Sequence, residues 1–247
     1  AYEIVDCDWS SDVCSSDLAV CSSLALTPDA AELLLADGRK LSARLVVGAD
    51  GGDSWVRAQA GIEVNGRPYA QTAVVANFST SISHRNVATQ WFLRNGILAF
   101  LPLPGERVSI VWSTATEHAE HLLSLNAGEL AREVFDASNG KLGDLESITP
   151  AAGFPLRIQR VKRLVLPRLA LIGDAAHSVH PLAGQGVNLG FRDARELANV
   201  LLNRGAQHDC GDFALLRRYE RARKEDILSM QFTTDTLKRL FNNDNPG

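Results

Sequence analysis

One stretch constrains this chain more than any other: "LALIGDAAHSVHPLAGQGVNLGFRDA", residues 169 to 194. An apolar run delivers Gly173 and Asp174, small residues follow, and Gly184, Gly186 and Gly190 pace the opening of a helix. That order is strand, tight turn, helix, the building unit of an α/β domain. The glycines let backbone approach a ligand closely, and the helix start offers free N–H groups and the positive end of its dipole. Asp174, at the end of the strand, suits hydrogen bonds from sugar or polyol hydroxyls. A lone Gly-Asp would be a turn with a helix cap and nothing more. A run this long predicts a site for a ligand with both hydroxyls and an anionic or electron-rich part.

The rest of the chain falls around this unit. "AELLLADGRKLSARLVVGADG" predicts strands over 33–35 and 41–47 joined by a turn at Asp37-Gly38, the second ending in Gly48-Ala49-Asp50-Gly51-Gly52. "DSWVRAQAGI" predicts a short helix stopped at Gly61. Residues 68–115 are rich in β-branched and aromatic types and broken at Asn95-Gly96 and Pro104-Gly105, the pattern of an antiparallel meander. A helix is expected over 117–138, then a Gly/Pro-marked passage over 150–155. "RLVLPRLALIGDAAH" reads as an apolar strand. The helix after it carries Val187, Leu189 or Gly190, Ala194, Leu197 and Leu201 on one side. A last helix spans 213–241, with Leu216, Tyr219, Met230, Leu237 and Leu240 at helical spacing. The architecture is an α/β unit, an inserted β-rich unit, and a return to the α/β unit.

Composition excludes several classes. A formal charge of −4 over 247 residues lacks the basic excess of a nucleic-acid binder. No apolar run approaches the roughly 18–20 residues of a membrane span, and no secretory leader opens the chain. Three of the four cysteines crowd into residues 7–21, unlike the framework of a secreted disulfide protein. Cytoplasmic residence is the default.

The long run resembles the second flavin-contacting motif of the class A FAD-dependent aromatic monooxygenases: Gly-Asp-Ala-Ala-His, then Pro, then Gly-Gln-Gly-x-Asn. "VVGADGGDSWVRAQAGI" resembles the same family's middle motif, Ala-Asp-Gly followed by Ser-x-x-Arg. "GILAFLPLPGERVSIVWS", "GQGVNLGFRDARELANVL" and "MQFTTDTLKRLF" together are similar to the ubiquinone-biosynthesis hydroxylase branch. The resemblance implies a partial Rossmann-like FAD-binding domain, α/β in class, with an inserted antiparallel β-sheet substrate domain. Its parts would be an atypical leader over 1–29, FAD-binding segments over 30–62 and 156–247, and the β-rich substrate domain over 63–155.

The resemblance also implies a chemistry. NADPH or NADH reduces FAD, the flavin reacts with O2, and one oxygen passes to the ring of a polyprenylated phenol; another small phenol is the alternative substrate. Asp50, Gly51, Ser54 and Arg57 would lie near the FAD pyrophosphate and the nicotinamide cofactor's approach. Gly173, Asp174, Ala175 and His177 would serve the flavin side, with Asp174 on the ribityl chain. Gly184, Gln185, Gly186, Val187 and Asn188 would sit at the pyrimidine end, and Pro181 would border the reacting face. No side chain is nominated as acid or base. The resemblance leaves room for peripheral contact with the inner membrane or with a biosynthetic complex.

Other readings remain beside this one. Asp174, His177 and His180 form Asp-x-x-His-x-x-His, readable as metal ligands, but the segment is a Gly/Pro-broken turn without a further ligand cluster, and no metal is expected. The last helix carries "RRYERARK", with seven basic and four acidic residues over 214–241, so a non-catalytic membrane- or partner-binding role is the reading from another class. Its ordinary explanation is a packed helix with a solvated charged face. Trp91, Phe92, Phe100 and Trp112 in the meander read as core first and pocket lining second.

Two features stand apart. The family's Gly-x-Gly-x-x-Gly turn for the ADP half of FAD is not found in the sequence, which begins with Ala1. The expectation is an internal fragment, inactive or poorly folded, of a flavin hydroxylase. "CDWSSDVCSSDLAVCSS", residues 7–23, spaces Cys7, Cys14 and Cys21 by seven and repeats Ser-Ser-Asp. It lacks zinc-ligand spacing and reads first as a foreign or artefactual insertion, then as a disordered loop, and last as a metal or redox site.

Overall fold

The structure, a computed structural model, describes residues 2–5, 16–179, 185–206 and 208–241. The chain divides into two compact units, one of residues 1–66 with 159–233 and the other of 67–158 with 234–247.

The first unit is built on a parallel pair. Strand Val46–Gly48 runs beside Leu169–Leu171, in register Leu169 to Val46 and Leu171 to Gly48. Leu169, Ala170 and Leu171 are fully buried, as a strand covered on both faces must be. They pack with Val56, Val165, Leu197, Leu216 and Tyr219 in one apolar cluster. The helices Trp55–Gln59, Gln185–Leu202 and Phe213–Phe241 supply much of that cover. A separate antiparallel sheet of Cys21–Leu26, Ala31–Leu35 and Lys40–Ala43 carries the hairpin at Gly38, whose φ of +89° suits glycine.

Two expected strands are each broken in two. The segment 41–47 divides into Lys40–Ala43 and Val46–Gly48, which belong to different sheets. The approach to Gly173 is a hairpin of Val165–Leu166 and Leu169–Leu171 around Pro167-Arg168. Proline ahead of a residue at φ +67° is a turn arrangement, normally completed by glycine. Here it is Arg168, anchored through its guanidinium to the Pro28 and Arg44 carbonyls and to Asp209 at 2.8 Å. Those long-range bonds offset the left-handed backbone.

Residues from the cysteine-rich stretch also take places. Ser16–Ala19 pairs with Tyr2–Val5, and Cys21, buried, packs with Ala19 and Leu35. Burial pushes the Cys21 thiol up, and nearby Asp50 adds to the shift. Cys7 and Cys14 lie outside the described residues.

The second unit is an antiparallel meander. Gly96–Leu103 pairs with Thr89–Leu93 on one side and Arg107–Ala115 on the other; the latter pairs in turn with Val64–Thr80. Gly96 turns the first hairpin: a Cβ there would stand 2.2 Å from the Ser113 carbonyl oxygen. The helix expected over 117–138 is two, Thr116–Ser124 and Ala127–Ala137. The second opens with a capping box, Asn126 and Glu129 each bonding the other's backbone N–H. The passage 150–155 is the start of strand Ala152–Val161, where Gly153 and Pro155 are exposed. Proline is tolerated there because, among the described residues, the strand's pairing with His177–Ser178 begins only at Gln159 and Arg160. Phe100 and Trp112 are core; Trp91 packs edge-on to Phe100 at 4.8 Å, and Phe92 is 52% exposed.

Candidate functional site

Both quoted motifs leave the carboxyl ends of the parallel strands, the place where open α/β sheets bind ligands. Gly51 from the first turn and Gly173 with Asp174 from the second line one cleft of about 460 Å³. Gly186, Val187 and Gly190 of the following helix complete it, beside Ala49 and Ala194. The walls are mostly small. A Cβ at Gly51 or Gly186 would meet no atom within 4 Å, so both positions face open space. Gly190 and Gly173 approach so closely that a Cβ on the former would lie 3.3 Å from the Cα of the latter. Asp174 is exposed, and Val187 and Phe191 give the rim an apolar edge at 63% and 68% exposure. Such a cleft suits a flat ligand pressed on backbone, with hydroxyls toward Asp174 and negative charge toward the start of the Gln185–Leu202 helix.

The first turn is locked by its own side chains. Ser54 caps the Trp55–Gln59 helix, accepting from the Arg57 N–H at 2.9 Å and donating to Asp50 Oδ1 at 2.5 Å. Asp50 Oδ2 accepts from the Val56 N–H at 3.0 Å. Gly51, at φ +83°, makes the bend. Arg57 is buried and ties the two turns together, donating to the Gly52 carbonyl at 2.8 Å and to the Ala175 carbonyl at 2.9 Å. Asp50, Ser54 and Arg57 thus hold the turn that presents Gly51.

The second turn is held by residues that sequence reasoning missed. Asp193, fully buried, accepts from the Gly173 N–H at 2.9 Å and stands 2.7 Å from His177 Nε2, both through Oδ2. Its other oxygen accepts from Arg223 Nε at 2.7 Å, and Arg223 reaches on to Asp226 at 2.6 Å. Burial alone would push the Asp193 carboxyl up. The bonds from His177, Arg223 and Gly173 outweigh it and hold the group below its ordinary value. Tyr219 donates to the Leu171 carbonyl at 2.8 Å, and burial, aided by the Asp193 charge, drives its phenol well above the usual range. A signal was readable: Asp193 stands midway between Leu189 and Leu197, and Arg223 between Tyr219 and Ile227, charges in apolar stripes.

The sequence-derived residues therefore divide. Gly51, Gly173, Asp174, Gly186 and Val187 line the cleft. Ala175 and His177 are buried, Ala175 in the apolar cluster and His177 on Asp193. Gln185 opens the helix and Asn188 is exposed on it. Pro181, Gly184 and His180 lie outside the described residues.

The chain has known relatives. The family described as "FAD binding domain" matches residues 27–230. Ubiquinone hydroxylase UbiL of Rhodospirillum rubrum is 43% identical over 219 residues, covering 87% of this chain and 51% of that protein. The 3-demethoxyubiquinol 3-hydroxylase of Escherichia coli is 37% identical, with 88% and 56% covered. Among solved structures, PqsL of P. aeruginosa in complex with 2-aminobenzoylacetate superposes with a TM-score of 0.77 at 28% identity, over 91% of this chain and 64% of that one. The chain spans about half the length of the curated relatives it matches.

Proposed function

Because the chain belongs to the FAD binding domain family, the family of the class A flavin-dependent aromatic monooxygenases its motifs resemble, we propose that it is the flavin-side part of an enzyme that hydroxylates the aromatic ring of a ubiquinone precursor. The observation that carries this reading is the convergence of Gly51, Gly173, Asp174 and Gly186 on one small-residue cleft at the ends of the parallel strands. The open space over Gly51 and Gly186 leaves room for FAD to lie against backbone. Its relatives UbiL and the E. coli hydroxylase are named for ubiquinone chemistry, which directs the substrate to a polyprenylated phenol.

FAD, when bound, supplies the redox chemistry that takes electrons from NADPH or NADH and activates O2. The chain's residues bind and orient. Asp174 accepts from ribityl hydroxyls, and the glycine walls admit a planar ring against backbone. The N–H groups at the start of the Gln185–Leu202 helix stabilise negative charge on the ring's pyrimidine end. Arg57 and Asp193 fix the two turns, so these groups meet the ligand already in place. We further propose cytoplasmic residence with peripheral contact at the inner membrane, the latter supported by the membrane solubility of a polyprenylated substrate.

The test is NADPH oxidation by flavin-loaded enzyme with and without a prenylated phenol, alongside product analysis. Substrate-stimulated oxidation that yields hydroxylated phenol is expected. Oxidation that yields hydrogen peroxide alone overturns the hydroxylase reading.

A further inference from the structure

A second groove, of about 480 Å³, lies in the same unit and shares no residue with the cleft. Its volume is within the range of small-molecule sites. Five cations line it: Arg160, Lys162, Arg217, Arg221 and Lys224. The only lining carboxylate, Glu220, is already committed, accepting from the Leu164 N–H at 2.8 Å and pairing with Arg217 at 2.7 Å. Lys162 pairs with Glu63 at 2.5 Å. Arg160, Arg221 and Lys224, all exposed, pair with no carboxylate among the described residues. Between them lie Val161, Leu164 and Ile227, with Leu228 at 38% exposure.

The spacing sharpens the point. Arg217, Arg221, Lys224 and Leu228 follow one another at four, three and four residues along the Phe213–Phe241 helix, hence on one face. Like charges at these intervals repel and weaken a helix by a few tenths of a kcal/mol per pair. In a chain of net charge −4, five cations are gathered here, and three of them have no matching acid among the described residues. Guanidinium forks match phosphate oxygens, and an ammonium adds a point charge. We propose that this groove binds an organic phosphate or diphosphate, its anionic head between Arg160, Arg221 and Lys224 and its apolar body against Leu228 and the aliphatic stems.

Titration calorimetry of the chain with phenyl phosphate and inorganic diphosphate tests this, with phenol as the uncharged comparator. Saturable binding of one phosphate probe per chain is expected, weaker at high salt, with none for phenol. Arg221→Gln with Lys224→Gln should weaken it by about tenfold or more, and Arg160→Gln should weaken it too. Arg218→Gln, on the same helix but outside the groove, should leave it unchanged. Absence of saturable binding, or equal weakening by Arg218→Gln, overturns the proposal. Should a groove variant fail to fold, amide shifts of the unmodified chain decide: they must centre on residues 160–164 and 217–228, and shifts spread elsewhere overturn it.

Discussion

In the unit that carries the cleft, the interior holds a carboxylate, an imidazole and a guanidinium at 0, 2 and 5% side-chain exposure. In the other unit the interior is Val74, Phe78, Leu98, Phe100, Ile110 and Trp112, and among the described residues no buried carboxylate, lysine or guanidinium joins them. A meander needs only complementary apolar faces to hold its register. A turn that must present backbone to a ligand has to be aimed, and hydrogen bonds aim what packing alone leaves free to slide. Arg223 Nη2 is buried with no hydrogen-bond partner among the described residues, and so is Trp112 Nε1 in the meander.

The contrast breaks first at Asp193. Asp193→Asn removes the charge, keeps the shape and leaves the buried Arg223 with only the half-exposed Asp226 as counter-ion. A loss of about 3–5 kcal/mol is expected by urea denaturation, with faster amide exchange at Gly173. Replacing both partners, Asp193→Leu with Arg223→Met, should recover much of that stability while leaving the Gly173 amide unprotected. In the apolar unit the matching one-group deletion, Ile110→Val, should cost about 0.5–1.5 kcal/mol. Equal losses at the two sites would erase the distinction.

A polar device in the second unit works at its surface. Asn126→Ala removes the capping-box acceptor of the Ala127–Ala137 helix and should cost about 1 kcal/mol, seen as fraying of that helix in hydrogen exchange. The smallest effects separate the units by pH. His118, half-buried in the meander unit, has its pKa lowered from 6.5, by burial first and then by His121. Its contribution is complete above pH 6.5 and is lost as pH falls through the depressed folded value. Asp193 and Asp209 lie in the other unit, Asp209 lowered to about 2 chiefly by its bond from Arg168. Their contributions are complete above the ordinary value of 3.8 and are lost as pH drops below it, for Asp209 toward about 2. Hydrogen exchange resolved along the chain at pH 7, 5 and 3 should show the meander weakening first.

Much of this was legible in the sequence. Glycine signals at Asp37-Gly38, Asn95-Gly96 and Pro104-Gly105 mark hairpins whose glycines all have positive φ, because turn chemistry is local. The helix over 213–241 was readable from its period. The break at residues 44–45 and the Pro167-Arg168 hairpin were not, since Arg168 is held there by Pro28 and Asp209, far away in sequence. The two-helix split was in plain view as Asn126 with Glu129, a capping signature hidden by an otherwise continuous helical pattern. Asp193 and Arg223 escaped because a search for apolar stripes passes over the charges that interrupt them.

The buried network also has a direction in time. A chain made from its amino end lays down His177 and Asp193 first, and Arg223 follows 30 residues after the aspartate. Until the Phe213–Phe241 helix exists, the carboxylate that holds the Gly173 turn has no guanidinium to meet. The cleft is therefore finished by a segment that never touches it. Synthesis writes the binding motif before the residue that completes its setting.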